Sequence, residues 1–198
     1  MNFIFDIGNV LVHYQPVPFL ASLFPERRLA DKIYETIFAS PEWEKMDQGL
    51  LTHRQAAEVF CSRAPEHASA VITAMNRLCD MLTPVHDTVA LLPRIKADGH
   101  SLYYLSNYHR ELRDYILSHY DFFALFDGGV FSCDVNLLKP SPAIYQLLLK
   151  QYRLEPASCL FFDDVPENVR AAREAGIRSV LFTGAACVKP YLDELRQT

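Results

Sequence analysis

The sequence predicts an α/β protein with a Rossmann-like three-layer α/β/α core, a parallel sheet and an inserted all-helical segment. Three observations predict it. Short apolar runs without polar alternation recur along the chain, as expected for parallel strands covered on both faces. Helical segments lie between most of them, which gives the βαβ alternation of a doubly wound sheet. Residues 13–83 break that rhythm, carrying helix signals with no convincing strand between them.

The predicted strands are residues 2–6, Ser101–Leu105, Gly129–Phe131, Cys159–Phe162 and Ser179–Phe182. Thr83-Pro84 and Ser141-Pro142 each place a hydroxyl before a proline, the signature of an N-cap and first helical residue. Gly99 and Gly176 stand where left-handed residues close the helices that begin at Pro84 and at 166. Inside 13–83, Ser40-Pro41 opens one helix and Gly49 breaks the chain. Thr52-His53-Arg54-Gln55 then reads as a capping box, with Ala56, Val59 and Phe60 on the apolar face of the helix it starts. The implied division is a core of residues 1–12 and 84–198 with a helical cap of 13–83.

The chain of 198 residues is half hydrophobic, enough for one core and a small second layer. A net charge of −5 offers no basic field to attract nucleic acid or anionic lipid. Cys61, Cys79, Cys133, Cys159 and Cys187 are scattered, odd in number and form no CxxC pair. They read as small apolar residues in a reducing compartment. The start Met1-Asn2-Phe3-Ile4-Phe5-Asp6 has no basic region ahead of an apolar run, so it does not read as a signal peptide. No apolar run approaches the ~18–20 residues that span a bilayer. The expectation is a cytoplasmic protein without membrane or nucleic-acid partners. Oligomeric state has no signal here.

Four segments carry chemistry, each at or just beyond the C-terminal end of a predicted strand, the edge where open α/β sheets bind ligands. They are Asp6-Ile7-Gly8-Asn9, Ser106-Asn107, Lys139-Pro140 and Asp163-Asp164. Singly each is ordinary turn or surface chemistry; their order and placement make the signal. Asp6, Asp163 and Asp164 bring three negative charges against the one positive charge of Lys139. Three carboxylates against one ammonium leave a deficit of positive charge that a divalent cation would fill, and oxygen ligands without His or Cys suit Mg²⁺.

On these segments the chain resembles the haloacid dehalogenase superfamily, and the helical insertion after the first strand resembles the cap of its subclass I members. FDIGNVLV, the LSN segment, LLKPSPAIY and LFFDDVPENVRAA look most like a bacterial group of sugar-phosphate phosphatases. That group includes an α-D-glucose-1-phosphate phosphatase, and the phosphatase domain of soluble epoxide hydrolase is a relative. The resemblance implies that Asp6 is a covalent nucleophile and that Mg²⁺ is held by Asp6, the Gly8 carbonyl and Asp164, with Asp163 supporting from behind. It implies that Lys139 screens the phosphate, and that Ser106 and the Asn107 backbone N–H donate to phosphoryl oxygens. The expected partner is a small phosphorylated metabolite, a sugar phosphate such as a hexose 1-phosphate.

Gly8 departs from the superfamily pattern DxDx[TV], whose second acid protonates the leaving oxygen and later activates water. That assistance is typically worth ~10²–10⁴-fold. A phosphatase selective for acidic leaving groups, such as an anomeric hydroxyl, fits the departure. A phosphomutase, which needs the acid in both directions, fits less well. A metal-independent 2-haloacid dehalogenase also lacks that acid, but Asp163-Asp164 argues against it. A catalytically inactive fold used for binding is the remaining alternative.

Candidates to face the substrate are His13 and Tyr14 after the nucleophile loop, and Trp43, Glu44, Gln48 and Arg54 in the insertion. Each of the latter four, taken singly, also reads as a core tryptophan or a surface group. His109 reads as a helix-start or surface histidine.

Overall fold

The computed structural model describes residues 1–195, with side chains through Leu192. β1 (Asn2–Phe5) leads into an all-helical stretch of α1 (Pro16–Leu23), α2 (Arg27–Ile37), α3 (Pro41–Asp47), α4 (His53–Arg63) and α5 (Ala68–Asn76). Then follow α6 (His86–Val89), α7 (Leu92–Ala97), β2 (Ser101–Ser106), α8 (Arg110–His119), β3 (Gly128–Phe131) and α9 (Ser132–Val135). The chain continues through α10 (Pro142–Tyr152), β4 (Cys159–Asp163), α11 (Pro166–Glu174), β5 (Arg178–Leu181) and α12 (Lys189–Leu195).

The strands form one five-stranded sheet in the order β3-β2-β1-β4-β5, every neighbouring pair parallel. Strand pleating sends Phe3 and Phe5 to one face and Ile4 to the other, and both faces are covered. On the first face Phe3, Phe5 and Phe162 stack with ring centroids 5.1–6.5 Å apart. That cluster continues without a break into Ile33, Ile37, Trp43 and Phe60 of the helical insertion. On the second face Ile4, Leu105 and Phe161 pack against Ile144, Tyr145 and Leu148 of α10.

Chain entry and exit of the insertion lie side by side. Val12 pairs with Pro84 in an antiparallel bridge. The His13 N–H donates to the Thr83 carbonyl at 2.8 Å, and the Val85 N–H to that of Leu11 at 2.8 Å. This pairing corrects one expectation: no helix starts at Pro84. α6 begins at His86, and the segment is split into α6 and α7 rather than one helix. Thr83 and Pro84 are held in the bridge, and Pro93, lacking an N–H, stands at the start of α7, where such a donor is not needed.

Several other local expectations hold, though Ser141 stands before α10 without a side-chain capping bond. Ser40 accepts from the Trp43 N–H at the start of α3, and Thr52 and Gln55 form the reciprocal capping box of α4. Gly99 and Gly176 have positive φ, as helix-terminating residues. Ala56 and Phe60 are buried, but Val59 is exposed and does not share their face. Gly49, at φ +74°, is required twice over. Its backbone is left-handed, and a Cβ there would lie 2.3 Å from the Cys133 carbonyl oxygen. The insertion thus meets the sheet side of the molecule backbone to backbone. The cysteines are free, Cys133 and Cys159 buried and the others half-buried. No described helix is long and apolar enough to cross a membrane.

Candidate active site

Sheet register builds the site. Phe5 stands beside Tyr104 on one side and Phe162 on the other. The next residue on β1 is therefore level with Asp163 and adjacent to the end of β2 at Ser106. Asp6, Ser106 and Asp163 emerge together at the C-terminal edge, at the point where strand order runs away from β1 in both directions.

Asp6 is buried, and its Oδ1 accepts three hydrogen bonds. They come from the Ile7 N–H at 2.7 Å, Ser106 Oγ at 2.7 Å and Lys139 Nζ at 2.8 Å. All three fall on one oxygen, which leaves Oδ2 for another partner. Burial pushes the Asp6 carboxyl up to about 6; the charge of Lys139 opposes this, and Asp163 adds to it. Lys139 is itself buried and donates to Asp163 Oδ2 at 2.6 Å. Burial works against its charge, but Asp6 and Asp163 outweigh that and hold its pKa above the ordinary lysine value.

Asp163 is fully enclosed and spoken for. Its oxygens accept from Lys139, from the Val165 N–H at 2.9 Å and from Asn168 Nδ2 at 3.0 and 3.1 Å. A carboxylate so saturated orients its neighbours. Asp164 is half-exposed and accepts a single 3.2 Å bond from Asn9 Nδ2. Burial raises its pKa, against the Asn9 bond.

The Asp6, Asp163 and Asp164 carboxylates each place an oxygen within 4.8 Å of the others. One ammonium against three carboxylates, two with raised pKa values, is an electrostatic deficit that a hard cation with oxygen ligands would fill. The residues present therefore fit Mg²⁺. Asp6 and Asp164 have oxygen sites to spare, and Asp163 backs them through Lys139 and Asn168.

Of the residues expected at the phosphate, the side chains of Ser106 and Asn107 are engaged within the protein. Ser106 Oγ is turned onto Asp6. The Asn107 side chain clamps the backbone of Lys139, donating to its carbonyl at 2.9 Å and accepting from its N–H at 2.8 Å. Asn107 thereby sets where the lysine stands.

Above the cluster lies a cavity of about 330 Å³. Asp6, Gly8, Lys139 and Asp164 form part of its lining, and Tyr14, Trp43, Tyr108 and Leu112 give it an apolar wall. Of the insertion residues considered, Trp43 lines it, whereas Glu44, Gln48 and Arg54 do not. Gln48 instead donates to the Asn136 carbonyl, and Arg54 pairs with Glu58 on the surface. Tyr14 lines it and His13 does not. Burial holds the Tyr14 and Tyr108 hydroxyls well above the usual tyrosine range, so both stay neutral.

Four residues the sequence reading left without a role stand here. Asn9, in a left-handed backbone (φ 54°), ties Asp164 to the Tyr14 N–H. Asn168 holds Asp163. Asp47, the last residue of α3, reaches the cavity beside His109. His109 does stand at the start of α8, immediately before its first residue, but it is only 1% exposed and is no surface residue. Asn9 and Asn168 lie inside quoted motifs, a signal that could have found them; Asp47 had none.

Gly8 shows why its departure matters. Its φ is not in the left-handed region, and an added Cβ would meet only Tyr14 Cβ at 3.8 Å, an ordinary contact. Neither backbone nor crowding requires glycine there.

Known proteins resemble the chain in sequence and in fold. Sesquiterpene phosphatase astK of Aspergillus oryzae is 28% identical over 201 residues, covering 98% of this chain and 94% of its own. Bifunctional epoxide hydrolase 2 of Mus musculus is 33% identical over 73 residues, 37% of this chain and 13% of that protein. A HAD family enzyme of Bacteroides thetaiotaomicron, solved as an asp12ala mutant in complex with magnesium and inorganic phosphate, superposes with TM-score 0.72. It is 16% identical and covers 92% of this chain and 94% of its own, a likeness of fold. The haloacid dehalogenase-like hydrolase family matches residues 1–176, the stretch that holds every residue of the cluster, and the chain belongs to that family.

Proposed function

We propose that the protein is a Mg²⁺-dependent phosphatase of small phosphomonoesters that works through an aspartyl-phosphate on Asp6. The observation that carries this is the buried Asp6–Lys139–Asp163 triad beside Asp164. It pairs an anionic nucleophile with a fixed ammonium and an oxygen-lined cation site, which phosphoryl transfer requires and halide displacement does not.

Asp6 attacks phosphorus; the bond to the ester oxygen breaks, and the leaving alkoxide takes up a proton. Water then adds to the phosphorus of the acyl phosphate and releases phosphate and the Asp6 carboxylate. Mg²⁺, bound by Asp6, Asp164 and the Gly8 carbonyl, would neutralise charge on the phosphoryl oxygens. Lys139 holds Asp6 in line and screens the incoming dianion. Ser106 can turn its hydroxyl from Asp6 to a phosphoryl oxygen, and the Asn107 N–H donates beside it. Tyr14, Trp43 and Tyr108 exclude water and contact the organic part of the substrate.

The helical insertion acts as a cap over this cavity, and its volume suits a compact metabolite. With glycine at position 8 no acid stands next to the nucleophile, so leaving groups more acidic than a simple alcohol are favoured. Hexose 1-phosphates meet that requirement. A second reading, a terpenyl phosphate, is favoured by the relative named a sesquiterpene phosphatase and by the apolar cavity wall.

The test is a Mg²⁺-dependent screen over hexose 1- and 6-phosphates, sesquiterpenyl phosphates and 2-chloropropionate. Hydrolysis of a phosphate that EDTA abolishes and Asp6→Asn reduces by about 10⁴-fold or more supports the proposal. Activity that survives Asp6→Asn, or metal-free dehalogenation, overturns it. A clear preference for 6-phosphates over 1-phosphates removes the leaving-group argument.

A further inference from the structure

A second group of ligand side chains spans the seam between the insertion and the sheet domain. His53 is the first residue of α4; His109 stands immediately before α8, and Glu111 lies in its first turn. One donor atom from each lies within 4.8 Å of the other two.

The histidines are set up as ligands. His109 Nδ1 lies 3.3 Å from Asp47 Oδ1. A carboxylate at Nδ1 favours the tautomer with its proton there, which puts the lone pair on Nε2. That Nε2 is buried without a hydrogen-bond partner, and so is His53 Nδ1. Buried polar atoms are nearly always paired, so two unpaired imidazole nitrogens in one cluster need a common cause. Trp43 stands edge-on to the His109 ring at 4.9 Å and fixes its plane. Glu111 Oε1 accepts from the backbone N–H of His53 at 3.3 Å, which tethers the carboxylate to the same spot. Burial lowers the His53 pKa, with Glu111 opposing, and so favours the neutral imidazole that can ligate.

We propose that His53, His109 and Glu111 bind a transition ion of the Zn²⁺ class, with Asp47 orienting His109 from behind. Two imidazoles and one carboxylate, with water as a fourth ligand, form a donor set that Zn²⁺ takes and Mg²⁺ does not. Ligands at ~2.1 Å from a tetrahedral ion sit roughly 3.4 Å apart. Small side-chain rotations of His53 and Glu111, neither of them fully buried, close the present spacing to that value. Because His53 belongs to the insertion and the other two to the sheet domain, the bound ion ties α4 to α8 beside the cavity that His109 lines.

The experiment titrates the full chain, held in saturating Mg²⁺, with Co²⁺ while recording its visible absorption, and then displaces Co²⁺ with Zn²⁺. The expected result is one equivalent of tightly bound ion with a tetrahedral spectrum. Its affinity falls at least about tenfold in His53→Ala and in Glu111→Gln and is unchanged in Asp164→Asn. No uptake, uptake indifferent to both seam variants, or uptake lost in Asp164→Asn overturns the site. The readout needs no substrate, so it stands whether or not the phosphatase reading does.

Discussion

The two clusters of ligating side chains differ in how their polar atoms are satisfied. At the sheet edge, Asp6 and Asp163 are crowded with donors, from Ile7 just beyond β1, Ser106 at the end of β2, Lys139 in the loop before α10 and Asn168 of α11. At the seam, His53 and His109 each keep a buried nitrogen without a partner. The first cluster is held largely in place by strand register, so an arriving ligand asks little more of it than a turn of the Ser106 hydroxyl. The second is assembled by the docking of one part of the chain on another, and its geometry depends on that docking. A site for chemistry and a site for a clasp are built by these different means.

Breaking the sheet-edge cluster has the largest expected effect. Lys139→Met leaves two buried carboxylates facing each other, and loss of one partner from such a group costs about 3–5 kcal/mol. Urea unfolding without metal should show that loss at pH 8. It should shrink toward pH 4, because Asp6 rises to about 6 in the folded state from an ordinary value of 3.8. A raised carboxyl means the folded state holds the proton more tightly, so Asp6 stabilises the fold when protonated and loses that contribution as pH climbs through this window. An equal loss at both pH values would show that lost packing, not charge, is responsible.

Restoring the missing acid comes next. Gly8→Asp has room for its side chain, and we expect about 10²-fold faster hydrolysis of hexose 6-phosphates with a smaller gain for 1-phosphates. Equal gains for both would show that leaving-group acidity does not govern selectivity.

The raised Asp6 pKa also predicts proton competition with the cation. Mg²⁺ affinity measured by calorimetry should weaken by about tenfold per pH unit below about 6, with proton release on binding. Pronounced pH independence from 5 to 7 would place the ion away from Asp6. The smallest effect is expected at the periphery: Arg54, 90% exposed and paired with Glu58 one turn along α4, should give an alanine variant with unchanged turnover and unfolding midpoint.

Much of the sheet-edge cluster was legible because parallel strands announce themselves. Apolar runs end at Asp6, Ser106 and Asp163, and register does the rest. Lys139 needed the order of segments as well. Asn107 was not assigned its present task, since a side-chain bond to a backbone 32 residues away leaves no local pattern. Asn168 bonds Asp163 only five residues back, inside the same motif, and could have been found there. The pairing of Asp47 with His109 crosses 62 residues and appears only once the insertion has folded back. Thr83-Pro84 shows the converse. Its local signal for a helix start is sound, but hydrogen bonds to Leu11 and His13 claim the same backbone.

The apolar cluster that runs from Phe3 and Phe5 to Ile37 and Phe60 has a thermodynamic consequence. Nothing separates the insertion's interior from the sheet's own, so neither half can lose its packing without uncovering the other. Heat should therefore melt the molecule in a single calorimetric transition, with van't Hoff and calorimetric enthalpies equal. Access to the cavity must then come from tilting that keeps those rings in contact, not from the insertion swinging free.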